Sequence, residues 1–257
     1  MVSEFMLQQT PVARVLPVFE QWMGTWPAPV DLAAASTGDA VRAWGRLGYP
    51  RRALRLHQAA TAIVSEHGGD VPCSHAALRA LPGVGDYTAA AIAAFAFGQR
   101  HAVLDTNVRR VFARAISGVE FPAKSVTRAE REVATGLLPD SDATAAKWAV
   151  AVMELGALVC TAASPKCVAC PLKDVCSWRS AGYPEYDGPP RLGQTYAGTD
   201  RQCRGALLNV LRESHEPVHR SQLDIVWTIE EQRTRCLAGL LDDELAVALA
   251  DDMFALP

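Results

Sequence analysis

The sequence predicts an all-α fold that ends in a small winged-helix-like module, on three observations. Alanine-rich segments with apolar residues at helical spacing recur from Val12 to Leu158, and no run of alternating β-branched residues competes with them. Four cysteines crowd into the stretch just after the last of these segments. The passage Gly182-Tyr183-Pro184-Glu185-Tyr186-Asp187-Gly188-Pro189-Pro190 is too rich in Gly and Pro for a helix, and it separates this body from a tail with its own helical pattern.

In chain order, the segment from Asp39 reads as a helix that stops at glycine with Pro50 just beyond, and the next helix runs from Arg51 to about His67. The tail reads as a helix through Leu211, a short one near Gln222, a third from Glu230 to Leu241 and a small hairpin over Val247 to Leu256, the order of a winged helix. The predicted domains are therefore 1–181, a linker over 182–199 and a module over 200–257.

The 257 residues are 49% hydrophobic and 21% charged, enough to bury a core and to split into more than one domain. The longest apolar stretch, Thr88 to Phe97, is too short to span a bilayer, and Met1-Val2-Ser3-Glu4 lacks the basic and apolar regions of a signal peptide. Membrane and secreted classes are excluded on this reading, and a cytoplasmic chain with reduced thiols is expected. The net charge of −3 is uneven: residues 1–195 carry 19 Lys and Arg against 17 acids, and residues 196–257 carry 6 against 11. The acidity belongs to the tail, so the main body can still carry a basic face for nucleic acid.

Cys160, Cys167, Cys170 and Cys176 form the pattern C-x6-C-x2-C-x5-C. Four thiolates this close enclose one metal centre. A structural zinc site usually brings two separated C-x-x-C knuckles, whereas this stretch has one knuckle flanked by lone cysteines, which favours a cubane iron–sulfur cluster. Zinc and four unrelated core cysteines stand as the alternatives. Cys73, Cys203 and Cys236 have no partner at ligand spacing and read as ordinary buried residues.

Leu81-Pro82-Gly83-Val84-Gly85 joins two helices through a tight turn. Both glycines can take positive φ, and without side chains to shield them their amides can face a phosphate, as can the N-terminus of a helix starting near Asp86 or Tyr87. Twenty residues after Gly85 comes Asp105, which reads as the N-cap of a helix. A cap can also do chemistry, because an ionised carboxylate at a helix start near a DNA-binding turn is placed to stabilise positive charge on a deoxyribose.

In order and separation, hairpin, aspartate and cysteine cluster resemble the helix–hairpin–helix DNA glycosylases with an iron–sulfur cluster, the superfamily of endonuclease III and MutY. The resemblance covers roughly Met1 to Trp178. Within it Ser3-Glu4-Phe5-Met6-Leu7-Gln8-Gln9-Thr10, Leu47-Gly48-Tyr49 and Met153-Glu154-Leu155-Gly156-Ala157 look like the MutY branch, the adenine glycosylases. The fold this implies is two-lobed, with a six-helix lobe over about 12–115, a cluster lobe from 116 on and a cluster loop at 160–176. Double-stranded DNA would lie bent across the cleft with the target base flipped out. A 4Fe-4S cluster would position the protein without taking part in the chemistry, and Lys166 in its loop would meet a phosphate.

The resemblance also assigns roles. Glu4 is the general acid that protonates adenine, at N7, and Asp105 stabilises the oxocarbenium-like transition state with Asn107 orienting it. Tyr87 stands where bifunctional relatives carry a lysine that forms a Schiff base, so a monofunctional enzyme that leaves the strand intact is implied. Glu154 falls at a position of the adenine pocket, Gln8 and Tyr49 act as wedges in the base stack, and Leu81, Gly83, Gly85, Arg109 and Arg110 face the DNA backbone. The implied substrate is adenine opposite 8-oxoguanine or guanine, taken by a monomer at the bacterial nucleoid.

Two departures qualify the match. MutY proteins usually carry a helix before the glutamate motif, with a Pro-Trp-Arg segment, and a chain starting at Met1 is expected to be less stable and to lose activity. Residues 196–257 are too few for the pyrophosphohydrolase-related domain that reads 8-oxoguanine in many MutY enzymes. A G·T mismatch thymine glycosylase of the same superfamily, or a catalytically impaired DNA-binding iron–sulfur paralogue, are the other readings at this point.

Overall fold

The computed structural model describes residues 1–189 and 195–257. Its main body is helical, and its contacts gather the chain into two units: Met1–Pro72 with Leu81–Gly83 and the described part of Leu192–Pro257, and Cys73–Ala80 with the described part of Val84–Arg191.

The first unit begins with α1 (Val2–Leu7), α2 (Val12–Thr25), α3 (Pro29–Ala34), α4 (Thr37–Trp44) and α5 (Arg51–Glu66). The last is the hub, packing on α1, α3 and α4. Its buried residues Ala53, Leu56, Ala60 and Ile63 recur at three- and four-residue spacing, the stripe expected of a helix with one apolar face. Trp22 and Trp44 are fully buried and meet edge to face with ring centres 5.8 Å apart. Ser36 caps α4 by accepting the Asp39 N–H at 3.0 Å. The helix ends at Gly45 with φ +55°, the stop that glycine permits.

The second unit holds α6 (His75–Ala80), α7 (Asp86–Phe97), α8 (Thr106–Ala115), α9 (Arg128–Gly136) and α10 (Asp142–Glu154), followed by a π-turn over Leu155–Val159 and α11 (Ser177–Ser180). Every residue of α7 from Thr88 to Ala94 is buried. A helix apolar on all sides belongs in a core, and alanine at five of these seven positions lets α6 and α10 approach its backbone. The helix closes at Gly98, whose φ of +66° lets its N–H and that of Gln99 reach back to the carbonyls of Ala94 and Ala93.

The tail adds α12 (Asp200–Glu213), β1 (Val218–His219), α13 (Arg220–Ile225), α14 (Glu230–Asp242), β2 (Val247–Ala248) and β3 (Met253–Ala255) to the first unit. The three strands form an antiparallel sheet in the order β1-β3-β2, with Val218 opposite Phe254 and Val247 opposite Ala255. The three helices and the β2–β3 hairpin follow the expected winged-helix order, and β1, paired with β3, is a strand beyond that expectation. Arg42 on α4 donates to the carbonyls of Arg212 at 2.5 Å and Ser214 at 2.7 Å, so a cation meets the orphan carbonyls at the end of α12. In the expected linker, 182–189 and 195–199 form no helix or strand, while residues 190–194 lie outside the described residues. Among the described residues no helix is long and apolar enough to cross a membrane.

Between α6 and α7 the turn differs from expectation in two ways. Gly83 takes φ +76°, but Gly85 is extended with φ −91°, so only one of the two glycines uses left-handed backbone. Leu81 is buried, so the positions of the turn that are open to a phosphate are Gly83 and Gly85. A Cβ on Gly83 would lie 2.7 Å from Arg55 Cβ and 3.0 Å from Phe5 Cε1. Gly83→Ala, combining left-handed strain with this clash, is expected to cost about 2 kcal/mol or more in urea denaturation, whereas Gly85→Ala falls below about 1 kcal/mol.

Candidate functional site

Asp105 caps α8 as the sequence reading had it. One carboxylate oxygen accepts the Val108 N–H at 2.6 Å and the other accepts from Asn107 Nδ2 at 2.8 Å. The group is half-buried, and burial holds its pKa above the ordinary value of 3.8 against the opposing pull of these hydrogen bonds and of Arg110. Asn107 is fixed in turn, its Oδ1 accepting from Arg110 Nη2 at 2.9 Å. Asn107 therefore donates to the aspartate and accepts from the arginine, which leaves its amide one orientation.

Arg110 does not face a phosphate. It is buried, and it donates to the carbonyls of Gly156 at 2.5 Å and Cys160 at 2.6 Å. Both carbonyls come from the π-turn that follows Glu154, where Cys160 N–H returns to Leu155 O at 2.7 Å. Gly156 makes this approach possible, because a Cβ there would lie 2.7 Å from both Asn107 Cβ and Asn107 O. The segment bearing the first cysteine is thus tied through Arg110 and Asn107 to the carboxylate of Asp105.

Arg109 corrects the sequence reading as well. It is buried in a two-pronged pair with Glu130, Nε to Oε1 at 3.0 Å and Nη2 to Oε2 at 3.1 Å, and it also donates to the carbonyls of Ala123 and Ser125. Glu130 serves at the same time in the capping box of α9 with Thr127. The Arg109 guanidinium holds the loop before α9 and is committed inside the protein. Tyr87 is partly buried on α7, against the apolar cluster of Ala90, Ala91, Ala94, Val103 and Ala149 that also receives Met153. Glu154 is exposed at the end of α10, one residue before the π-turn.

In the first unit Glu4 lies in the first turn of α1 and is partly exposed. Gln8 ends that helix, and its carbonyl accepts a short hydrogen bond from Arg52, whose guanidinium lies 4.4 Å from the centre of the Tyr49 ring. One arginine that the sequence reading passed over therefore brings Gln8 and Tyr49 together. Tyr49 is 42% exposed with φ +47°, an uncommon backbone for an aromatic residue.

Cys160, Cys167, Cys170 and Cys176 line one pocket together with Arg114, Lys166, Lys173, Arg179 and Trp178. Burial pushes Cys170 above its ordinary pKa, with the neighbouring thiols adding to it and a backbone hydrogen bond at Leu172 opposing it. Arg114 brings a cation to the first of the four cysteines. Fully buried on α8, it donates to Cys160 Sγ at 3.5 Å and to the carbonyl of Thr161 at 2.8 Å, and it stacks on Trp178 at 4.6 Å. All four thiols line one space with cations around it, a donor set that suits a thiolate-held metal group. Arg114 had a sequence signal, since it follows Arg110 by one helical turn on the same face of α8.

Residues 2–135 match the family described as HhH-GPD superfamily base excision DNA repair protein. The chain is 56% identical over 259 residues to a protein named adenine DNA glycosylase from Mycobacterium tuberculosis, covering all of this chain and 84% of that one. It is 52% identical over 257 residues to the protein of the same name from Mycolicibacterium smegmatis, covering all of this chain and 86% of that one. Among solved structures it resembles that of a thermostable thymine-DNA glycosylase, with a TM-score of 0.60 and 26% identity over 70% of this chain and 82% of that chain.

Gly156→Ala tests the close approach of the π-turn to α8. The added methyl meets backbone atoms that cannot swing aside, so a stability loss of about 2 kcal/mol is expected by urea denaturation. The same substitution at Gly136, where a Cβ meets nothing within 4 Å, serves as the control and should leave stability unchanged or raised.

Proposed function

This chain belongs to the HhH-GPD superfamily of base excision DNA repair proteins, and on that footing we infer that it is an adenine DNA glycosylase, hydrolysing the bond between adenine and deoxyribose. Likeness to adenine glycosylases along its whole length is the observation that carries the base. The setting of Asp105 supports the chemistry. A carboxylate held by Val108 and Asn107 at the start of α8, with Arg110 behind it, is a fixed negative charge for the cation that develops on the sugar.

In the proposed mechanism Glu4 donates a proton to N7 of the flipped adenine, which turns the base into a neutral leaving group. Asp105 stabilises the oxocarbenium-like sugar, and water completes the hydrolysis. Asn107 positions Asp105. Tyr87 offers no amine at the lysine position of strand-cleaving relatives, so the product is an abasic site in an intact strand. Gln8 and Tyr49, braced by Arg52, enter the base stack, Glu154 contributes to the adenine pocket, and the exposed backbone of Gly83 and Gly85 takes a phosphate. Cys160, Cys167, Cys170 and Cys176 would hold a 4Fe-4S cluster, whose contribution is to set the cysteine loop and its cations. The enzyme works as a monomer on double-stranded DNA at the nucleoid, on adenine opposite 8-oxoguanine or guanine.

Single-turnover assays on duplexes with A opposite 8-oxoguanine, A opposite G and T opposite G test this directly. Adenine release from the first two, with strand breakage only after alkali, is expected. Glu4→Gln and Asp105→Asn should each slow release by about a hundredfold or more. Release of thymine alone, or full activity of Glu4→Gln, would overturn the assignment.

The raised pKa of Asp105 adds a pH prediction. Its carboxyl binds more protons when folded than when unfolded, so this group lowers stability as pH rises from 3.8 through the folded pKa. Its catalytic charge is lost as pH falls through that same folded value. The acid limb of the single-turnover rate should therefore have its midpoint above 3.8, and a midpoint at or below that value contradicts the burial argument.

A further inference from the structure

The C-terminal module has the element order of a winged helix but not the charge of one that grips DNA. In DNA-binding relatives of this architecture the second helix of the α13–α14 pair enters the major groove by its N-terminal end. Here that end carries Glu230 and Glu231, both exposed, and no ion pair among the described residues takes up either carboxylate. The wing, between β2 and β3, carries exposed Asp251 and Asp252 at its tip. Residues 196–257 as a whole hold 6 Lys and Arg against 11 acids. A phosphate backbone would be repelled at both of the contacts that a winged helix makes.

Between the helices the chain shows a different character. Ile225 is 80% exposed, Val226 38% and Ile229 57%, three large aliphatic side chains within five residues. The turn that presents them is held firmly. Trp227 Nε1 donates to Gln232 Oε1 at 2.9 Å, Arg233 Nη1 donates to the Trp227 carbonyl at 2.6 Å, and Arg233 pairs with Asp224 at 2.7 Å. A rigid aliphatic patch in water is an interface feature, since nothing in the module's own packing needs it exposed. Glu230 and Glu231 stand beside Ile229 in sequence and give the patch its charge, with Glu231 in electrostatic reach of Arg235.

We propose that the α13–α14 turn is a docking surface for a protein partner, a segment that offers aliphatic side chains for Ile225, Val226 and Ile229 and Lys or Arg for Glu230 and Glu231. Apolar contact supplies the affinity, and the charge border selects a basic partner and rejects DNA. The module thereby brings the repair enzyme to another protein without competing for the substrate duplex. The proposal does not depend on which base is excised.

Full-length protein is titrated against a labelled amphipathic helical peptide of Leu and Lys, the same pattern in Leu and Glu, and an undamaged duplex, with anisotropy as the readout. The Leu/Lys peptide should bind and the Leu/Glu peptide should not. Ile225→Glu with Ile229→Glu should weaken peptide binding about tenfold or more while melting temperature and duplex affinity stay as they were. Glu230→Gln with Glu231→Gln, which leaves the apolar patch whole, should flatten the salt dependence of peptide binding. Equal binding of both peptides, unchanged affinity in the double isoleucine variant, a loss of duplex binding in that variant, or a dimer that it dissolves would each overturn the proposal, the last two in favour of DNA or a second copy as the occupant.

Discussion

Arg110 gathers three carbonyl-type oxygens that the chain supplies from separate places: Oδ1 of Asn107 in the first turn of its own helix, the backbone of Gly156 and the backbone of Cys160. A buried guanidinium is tolerated only when its donors are satisfied, and removing one partner of such a set costs about 3 kcal/mol or more. The arrangement therefore admits little slack. If the π-turn shifted away from α8, Arg110 would lose two acceptors and Asn107 its orientation. In the proposed reading, the aspartate that meets the sugar is as well placed as this one cation is satisfied.

The neighbouring arginines extend the same logic along α8. Arg114, one turn further on, meets Cys160 Sγ and the carbonyls of Thr161 and Ala162, so the cysteine loop is anchored where its negative charge would gather. Arg109, on another face, holds Glu130 and the loop ahead of α9. Three buried cations on one short helix would be a liability in most cores. Here they are the reason that helix, loop and π-turn have one relative arrangement, and Gly156 is the small residue that lets them close.

Local signals in the sequence were legible. The stop at Gly45, the start of α5 at Arg51, the cap at Asp105 and the helix and strand order of the tail all depend on residues within a few positions of one another. Arg109 and Arg110 read as phosphate contacts because a charged pair on a helix is usually solvated. What buries them are oxygens as many as 50 positions along the chain, which no local pattern reports. Gly83 and Gly85 look equivalent in sequence, but only Gly83 sits against Arg55 and Phe5 with left-handed backbone. Arg52 reaches back 44 positions to Gln8 and lies on the Tyr49 ring, and it had no local mark. The cysteine spacing gave the grouping of the four thiols, and the cations that surround them became visible only in three dimensions.

The claim on which the rest stands is that Arg110 acts on the reaction through Asn107. A double-mutant cycle of Arg110→Met and Asn107→Ala, read on the single-turnover rate of adenine release, measures it. The account predicts that the double variant is no slower than the slower single variant, a coupling of about 1.4 kcal/mol or more for a tenfold loss in each. Losses that multiply, with no coupling between the two positions, would contradict it.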